Sequence, residues 1–187
     1  MDLITYQEQT LRTLPKLGSP INDSLHMTVG IMTEIAEIVD IMVSDYDPNK
    51  IKDELGDVMW YLSNYSNLLG VALSDLKEGL AWFTRLDVQS NIDGLLLSAS
   101  KLLDMDKKTF AYGKVYTKAD KVNVMMSVFY YATKLAEEHQ VDLSEAMDLN
   151  IKKLRVRFPD KFVSEQAINR NVEKENKVFT EKEGFSY

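Results

Sequence analysis

The chain of 187 residues has no cysteine. Disulfides and thiolate metal sites are therefore excluded. Only two histidines occur, His26 and His139, which excludes a histidine-rich zinc centre. No glycine-rich phosphate loop or Gly-x-x-x-x-Gly-Lys motif is present, so a bound phosphate would be held through a cation and side chains. Four prolines and eight glycines are few, and no proline lies between Pro48 and Pro159. That scarcity argues for helix and against a β-sandwich with frequent turns. No apolar run approaches the roughly 20 residues of a membrane span. The longest, 122–136, is interrupted by Asn123, Ser127, Thr133 and Lys134. Residues 1–13 carry Asp2, Glu8 and Arg12, unlike the apolar core of a signal peptide. These absences point to a soluble cytoplasmic protein with no membrane partner. The net charge of -7, from 29 acidic against 22 basic residues, makes a nucleic-acid polymer a poor partner.

What is present is helical periodicity almost throughout, so the expected fold is an all-α helical bundle. The pattern predicts helices over about 1–14, then from a cap at Asn22, Asp23 or Ser24 to Val43, and from Asp47-Pro48 to Leu69, ended by Gly70. Further helices are expected over 75–86 with Ser74 as cap, 91–109, 118–138 and 143–157. Trp82 and Phe83 are expected in the core. The resulting division is one domain over 1–160 and a polar tail over 161–187, with short helical stretches at most.

The helices repeat. Val58, Tyr61 and Leu73-Ser74 align with Val128, Tyr131 and Leu143-Ser144 at an offset of 70. Upstream, Glu34-Ile-Ala-Glu-Ile-Val-Asp40 aligns with Ser98-Ala-Ser-Lys-Leu-Leu-Asp104 at an offset of 64. The difference falls in a longer loop around Tyr112-Gly-Lys114. Two pseudo-symmetric helical-hairpin units follow, copy one over about 22–86 and copy two over about 91–157. Copy one has Glu34, Glu37, Glu54 and Asp57 where copy two has Ser98, Lys101, Val124 and Ser127.

Glu34 and Glu37 share a face of one helix, and Glu54 and Asp57 share a face of the next. A short turn joins the two helices, so these faces can confront each other. Carboxylates crowded at such a seam repel unless a cation neutralises them. Oxygen ligands without histidine or cysteine select magnesium, manganese or calcium. A di-iron carboxylate site would need Glu-x-x-His pairs, and none occurs. The same spacings are also common on solvated helix faces. Loss of all four acids from copy two favours the metal reading.

The strings Leu25-His-Met-Thr-Val-Gly-Ile-Met-Thr-Glu-Ile-Ala-Glu-Ile-Val-Asp40 and Lys52-Asp-Glu-Leu-Gly-Asp-Val-Met-Trp-Tyr-Leu62 resemble the MazG-like all-α nucleoside triphosphate pyrophosphohydrolases. Tyr6-Gln-Glu, Tyr112-Gly-Lys114, Asn150 to Phe162 and Ala167-Ile-Asn-Arg170 resemble further family segments, so the likeness spans about 2–170. The resemblance implies hydrolysis of an NTP or dNTP between the α- and β-phosphates, giving a monophosphate and pyrophosphate. It implies Glu34, Glu37, Glu54 and Asp57 as magnesium-binding and catalytic residues, with manganese as a substitute, and it suggests a homodimer. The degenerate copy two departs from the family pattern, and implies one working site per chain. Asp40 and Asp53 are adjacent acids on other face positions.

His26, Tyr61 and Asn64 are candidates for nucleotide contact, with helix packing as the alternative for each. Trp60 reads as core or interface. The basic group Lys152, Lys153, Arg155, Arg157 and Lys161, together with Lys114, offers phosphate binding or simply favourable charge near a helix C-terminus. Two other classes of function remain open on sequence alone: a non-catalytic nucleotide- or metal-binding regulator, and a structural helical assembly protein.

Overall fold

Each long helix begins where a side chain accepts a free backbone N–H. The structure, a computed structural model, describes residues 1–180, and all regular elements among them are helical. α1 (Leu3–Thr10) starts from Asp2, whose carboxylate accepts the Thr5 N–H, and passes through a 3-10 turn over 11–13. α2 (Pro20–Val43) starts from Ser19 rather than from the expected 22–24. Proline at the first helical position has no N–H to leave unpaired, so the helix extends back to Pro20. α3 (Pro48–Leu69) has the expected Asp47 cap, and it ends at Gly70 in the left-handed region, φ 59°.

α4 (Leu73–Gly79) is shorter than its periodicity suggests, and Ser74 does not cap it. Gln7 of α1 takes that role. Its Oε1 accepts the Leu73 N–H (2.7 Å), while its Nε2 donates to the Val71 carbonyl (2.8 Å). After Gly79 the chain tightens into a 3-10 turn over 80–82. This loss of α-helical register carries Trp82 outward, so that it is 90% exposed and not core as expected. Phe83 does pack, against Tyr130 and Tyr131.

α5 (Asn91–Tyr112), α6 (Lys118–Glu138) and α7 (Leu143–Arg157) follow the expected order. α5 continues past 109 to a left-handed cap at Gly113, φ 65°. Beyond 161 the chain forms α8 (Ser164–Ile168) and α9 (Val172–Thr180), and α9 lies against α7. The rest of the expected tail, 181–187, falls outside the described residues.

α2 packs on α3 and α5 on α6, giving two hairpins whose helices also meet as α2 on α5 and α3 on α6. Ile31, Ile35, Leu55, Val58 and Leu62 from the first unit join Leu95, Leu102, Val128 and Leu135 from the second in one core. The two units share a contact. In the first, Gly30 lies under the Tyr61 ring; in the second, Gly94 lies under Tyr131. These pairs reproduce both sequence offsets, 64 on the first helix and 70 on the second. One buried carboxylate joins all four helices. Asp106 of α5 is paired with Lys121 of α6 (2.7 Å). It also accepts from Tyr65 of α3 (2.9 Å) and, at 3.5 Å, from Thr28 of α2.

Gly→Ala inside a helix ordinarily stabilises by up to about 1 kcal/mol. At Gly30 and Gly94 the added Cβ runs into a tyrosine ring. Each substitution should therefore destabilise, by about 1–3 kcal/mol in denaturant unfolding.

Candidate active site

The short turn 44–47 folds α3 back on α2, and the acids of both helices meet at their seam. Glu34, Glu54 and Asp57 each offer a carboxylate oxygen, and these three atoms lie within 4.8 Å of one another. Glu37 stands apart from this trio. It is exposed, one turn along α2, though it lines the same cavity. That cavity has a volume of about 300 Å3. Its lining combines Glu34, Glu37, Asp53, Glu54 and Asp57 with Lys153, Arg157 and Arg170. Pro15, Trp60, Leu154, Phe158, Phe162 and Ala167 add apolar surface.

Burial pushes the Glu34 carboxyl up to about 7, helped by the negative charge of Asp57 and opposed by a hydrogen bond with Glu54. Burial also pushes Glu54 up to about 9, with Asp57 and Asp53 adding to the shift. Asp53 is raised by burial, against the pull of Lys153. These are acids held where their charged forms are costly. The donor set is all oxygen and half-buried, which suits a hard divalent cation.

One cation is built into the chain. Lys153 of α7 is 2% exposed, and its amine pairs with Asp53 and, at 2.5 Å, with Asp57. Burial favours the neutral amine, but Asp57 and Asp53 outweigh it and raise Lys153 above the ordinary lysine value. α7 reaches the site because Gly56 lets it approach α3 closely: a Cβ there would lie 2.9 Å from the Ala146 carbonyl oxygen. Asn150, one turn before Lys153, donates to Asp57 Oδ1 (2.5 Å). The buried Tyr6 hydroxyl contacts the Asn150 Oδ1 (3.4 Å) and the Gly56 carbonyl (3.3 Å).

The aromatic part of the lining is also fixed. Trp60 Nε1 donates to Thr13 Oγ1 (3.0 Å), and Tyr61 packs edge-on against both Trp60 and His26. Burial lowers the His26 pKa and raises that of Tyr61, Glu34 and Asp57 adding to the latter. Both groups are therefore neutral near neutral pH.

Residues 23–80 match the family model of the MazG nucleotide pyrophosphohydrolase domain. Over this segment the chain is similar to that family. The match takes in α2, α3 and α4, and thus every acid of the cluster. It stops before the second hairpin, whose kinship to the first rests on the repeated glycine–tyrosine contact. No curated protein and no solved structure matches the chain. In the second hairpin the positions of Glu34 and Asp57 are taken by Ser98 and Ser127. Their hydroxyls bond back to the Gly94 and Asn123 carbonyls of their own helices.

Of the residues expected at the site, His26, Glu34, Glu37, Glu54, Asp57, Tyr61, Lys153 and Arg157 line this cavity. Three do not. Asn64 is fully buried and donates to the Trp60 carbonyl, because one more turn of α3 takes it into the core. Arg155 projects from the other side of α7 and donates to Gln9 (2.9 Å). Lys114 lies exposed in the α5–α6 loop, 4.7 Å over the Tyr116 ring. The site also contains Asn150, which spacing did not single out. It shares a face of α7 with Lys153, and that i, i+3 relation was the available signal. Nothing local marks their partner.

The sign of the pH dependence follows from these shifts. Glu34 and Glu54 titrate higher in the folded chain than in the unfolded one, so folding takes up protons above pH 4.5. Stability of the metal-free protein should fall as the pH rises from about 4.5 through about 7 to about 9. Thermal unfolding across that range, with and without magnesium, measures it. Magnesium should flatten the decline, and so should Glu54→Gln.

Proposed function

We propose that this chain is a metal-dependent NTP or dNTP pyrophosphohydrolase. Water attacks the α-phosphorus, the α–β anhydride bond breaks, and a nucleoside monophosphate, pyrophosphate and a proton leave. The observation that carries the reading is the convergence of Glu34, Glu54 and Asp57 within 4.8 Å inside the matched domain. Glu34, Glu54 and Asp57 would hold magnesium, or manganese in its place. A bound divalent ion of this kind neutralises polyphosphate charge and makes a nearby water more acidic.

The protein's own groups supply the rest. Lys153 and Asn150 both bond to the Asp57 carboxylate and orient it. One of the four acids orients the attacking water and accepts its proton; Glu37, outside the tight trio, is the member not committed to it. Arg157 faces the phosphates. Tyr61 and His26, both neutral, present polar edges to sugar or base beside the anchored Trp60. A nucleotide suits this lining because it is itself an anion joined to an aromatic body.

Pyrophosphate release from a panel of NTPs and dNTPs with magnesium should be measurable, and chelation should stop it. Glu54→Gln should lower kcat by at least about 10³-fold while the metal-free protein melts no lower than wild type near neutral pH. Turnover at the wild-type rate in that variant would remove Glu54 from the site. A folded wild-type protein that released no pyrophosphate from any nucleotide would refute the hydrolase reading.

A further inference from the structure

A glutamate on α9 takes no part in the reaction above. Glu175 is fully buried against α7. Arg157 grips it with a two-point fork, Nε to Oε1 at 3.0 Å and Nη2 to Oε2 at 2.6 Å. Arg170, just before α9, adds Nη2 to Oε2 at 2.9 Å. The two arginines hold Glu175 below the ordinary glutamate value against the effect of burial. Both also line the cavity that contains the carboxylate trio. The same helix brings the Phe179 ring to 6.0 Å from the Lys153 amine.

A buried ion pair seldom adds stability over an apolar contact of the same volume. Packing alone would therefore seat α9 on α7 as well with a leucine. What the carboxylate adds is orientation. It takes up the Nε–Nη2 edge of Arg157 and the Nη2 of Arg170, and leaves Nη1 of Arg157, and Nε and Nη1 of Arg170, without a hydrogen bond among the described residues. Two planar forks fixed side by side at a cavity wall suit the oxygens of a phosphate chain.

We propose that Glu175 is a positioning residue that fixes Arg157 and Arg170 as the subsite for the pyrophosphate portion of the substrate, with residues 164–180 as its wall. The inference rests on the hydrolase reading only in taking the ligand to be a polyphosphate. A binding measurement tests it without turnover.

The probe is inorganic pyrophosphate with magnesium, titrated calorimetrically into the full chain, beside a nucleoside monophosphate as the second ligand. Glu175→Gln keeps the shape but loses the charge that aligns the forks. It should weaken pyrophosphate binding about tenfold or more while changing monophosphate binding less than about twofold. Arg170→Ala removes a partly exposed side chain and should give the same split; it decides the matter if Glu175→Gln unfolds. In turnover, both variants should raise KM for the triphosphate more than they lower kcat. Folded variants that bind pyrophosphate like wild type would overturn the proposal. So would parallel loss of both ligands, which would mark the α9 contact as structural support only. Pyrophosphate binding that depends on Glu175, with no nucleotide hydrolysed, would retain this subsite and refute the hydrolase reading. Hydrolysis with KM unchanged in both variants would do the reverse.

Discussion

Three carboxylates held within 4.8 Å of one another repel, and the surroundings of the site can be read as the means of tolerating that repulsion. Part of the answer is protonation, since burial raises Glu34 and Glu54. Part is a buried lysine: Lys153 brings a positive charge to Asp53 and Asp57 from a helix about a hundred residues further on. That lysine requires α7 to lie close on α3, which requires Gly56 at the crossing. It also draws in Asn150, which ties α7 to the Asp57 side chain, and Tyr6, which ties α1 to the Gly56 carbonyl of α3. A divalent cation would complete the neutralisation that one lysine leaves partial.

The doubled hairpin explains how such a costly site is supported. The first unit concentrates acids at its seam, and the second keeps the same helix packing without them. Ser98 and Ser127 satisfy themselves locally, so the second seam carries no comparable repulsion. At the junction of the units, Asp106 meets Lys121, Tyr65 and Thr28, so that a single buried carboxylate is satisfied by the three other helices. The tail adds a third layer, because α9 seats a buried glutamate on the cavity's arginines. The acidic composition of the chain thus resolves into distinct uses. Some acids form the cluster, some fasten helices together, and many are solvated.

Much of this was legible from spacing. Helix order and the caps at Asp47 and Gly70 follow from local chemistry, and so does the doubling, which the Gly30–Tyr61 and Gly94–Tyr131 contacts repeat in space. Where local reading failed, a distant residue intervened. Ser74 has the chemistry of a cap, but Gln7 satisfies the start of α4 from another helix. Trp82 fits an apolar stripe only if the α-helix continues, and it ends at Gly79. Asn64 continues the acidic stripe on paper, yet the seam turns away and buries it.

The sequence by itself determined an all-helical chain, its two related hairpins and the placing of four acids on confronting faces. These depend on a period of 3.6 residues, which operates over one or two turns and is visible in any short stretch. Only the tertiary structure decided that Glu37 stands outside the trio, that Lys153 serves the carboxylates instead of lying free, and that Arg157 and Arg170 converge on Glu175. Each of those outcomes depends on the distance between helices far apart in the chain. That distance is set by how side chains pack between them, and no local periodicity encodes it.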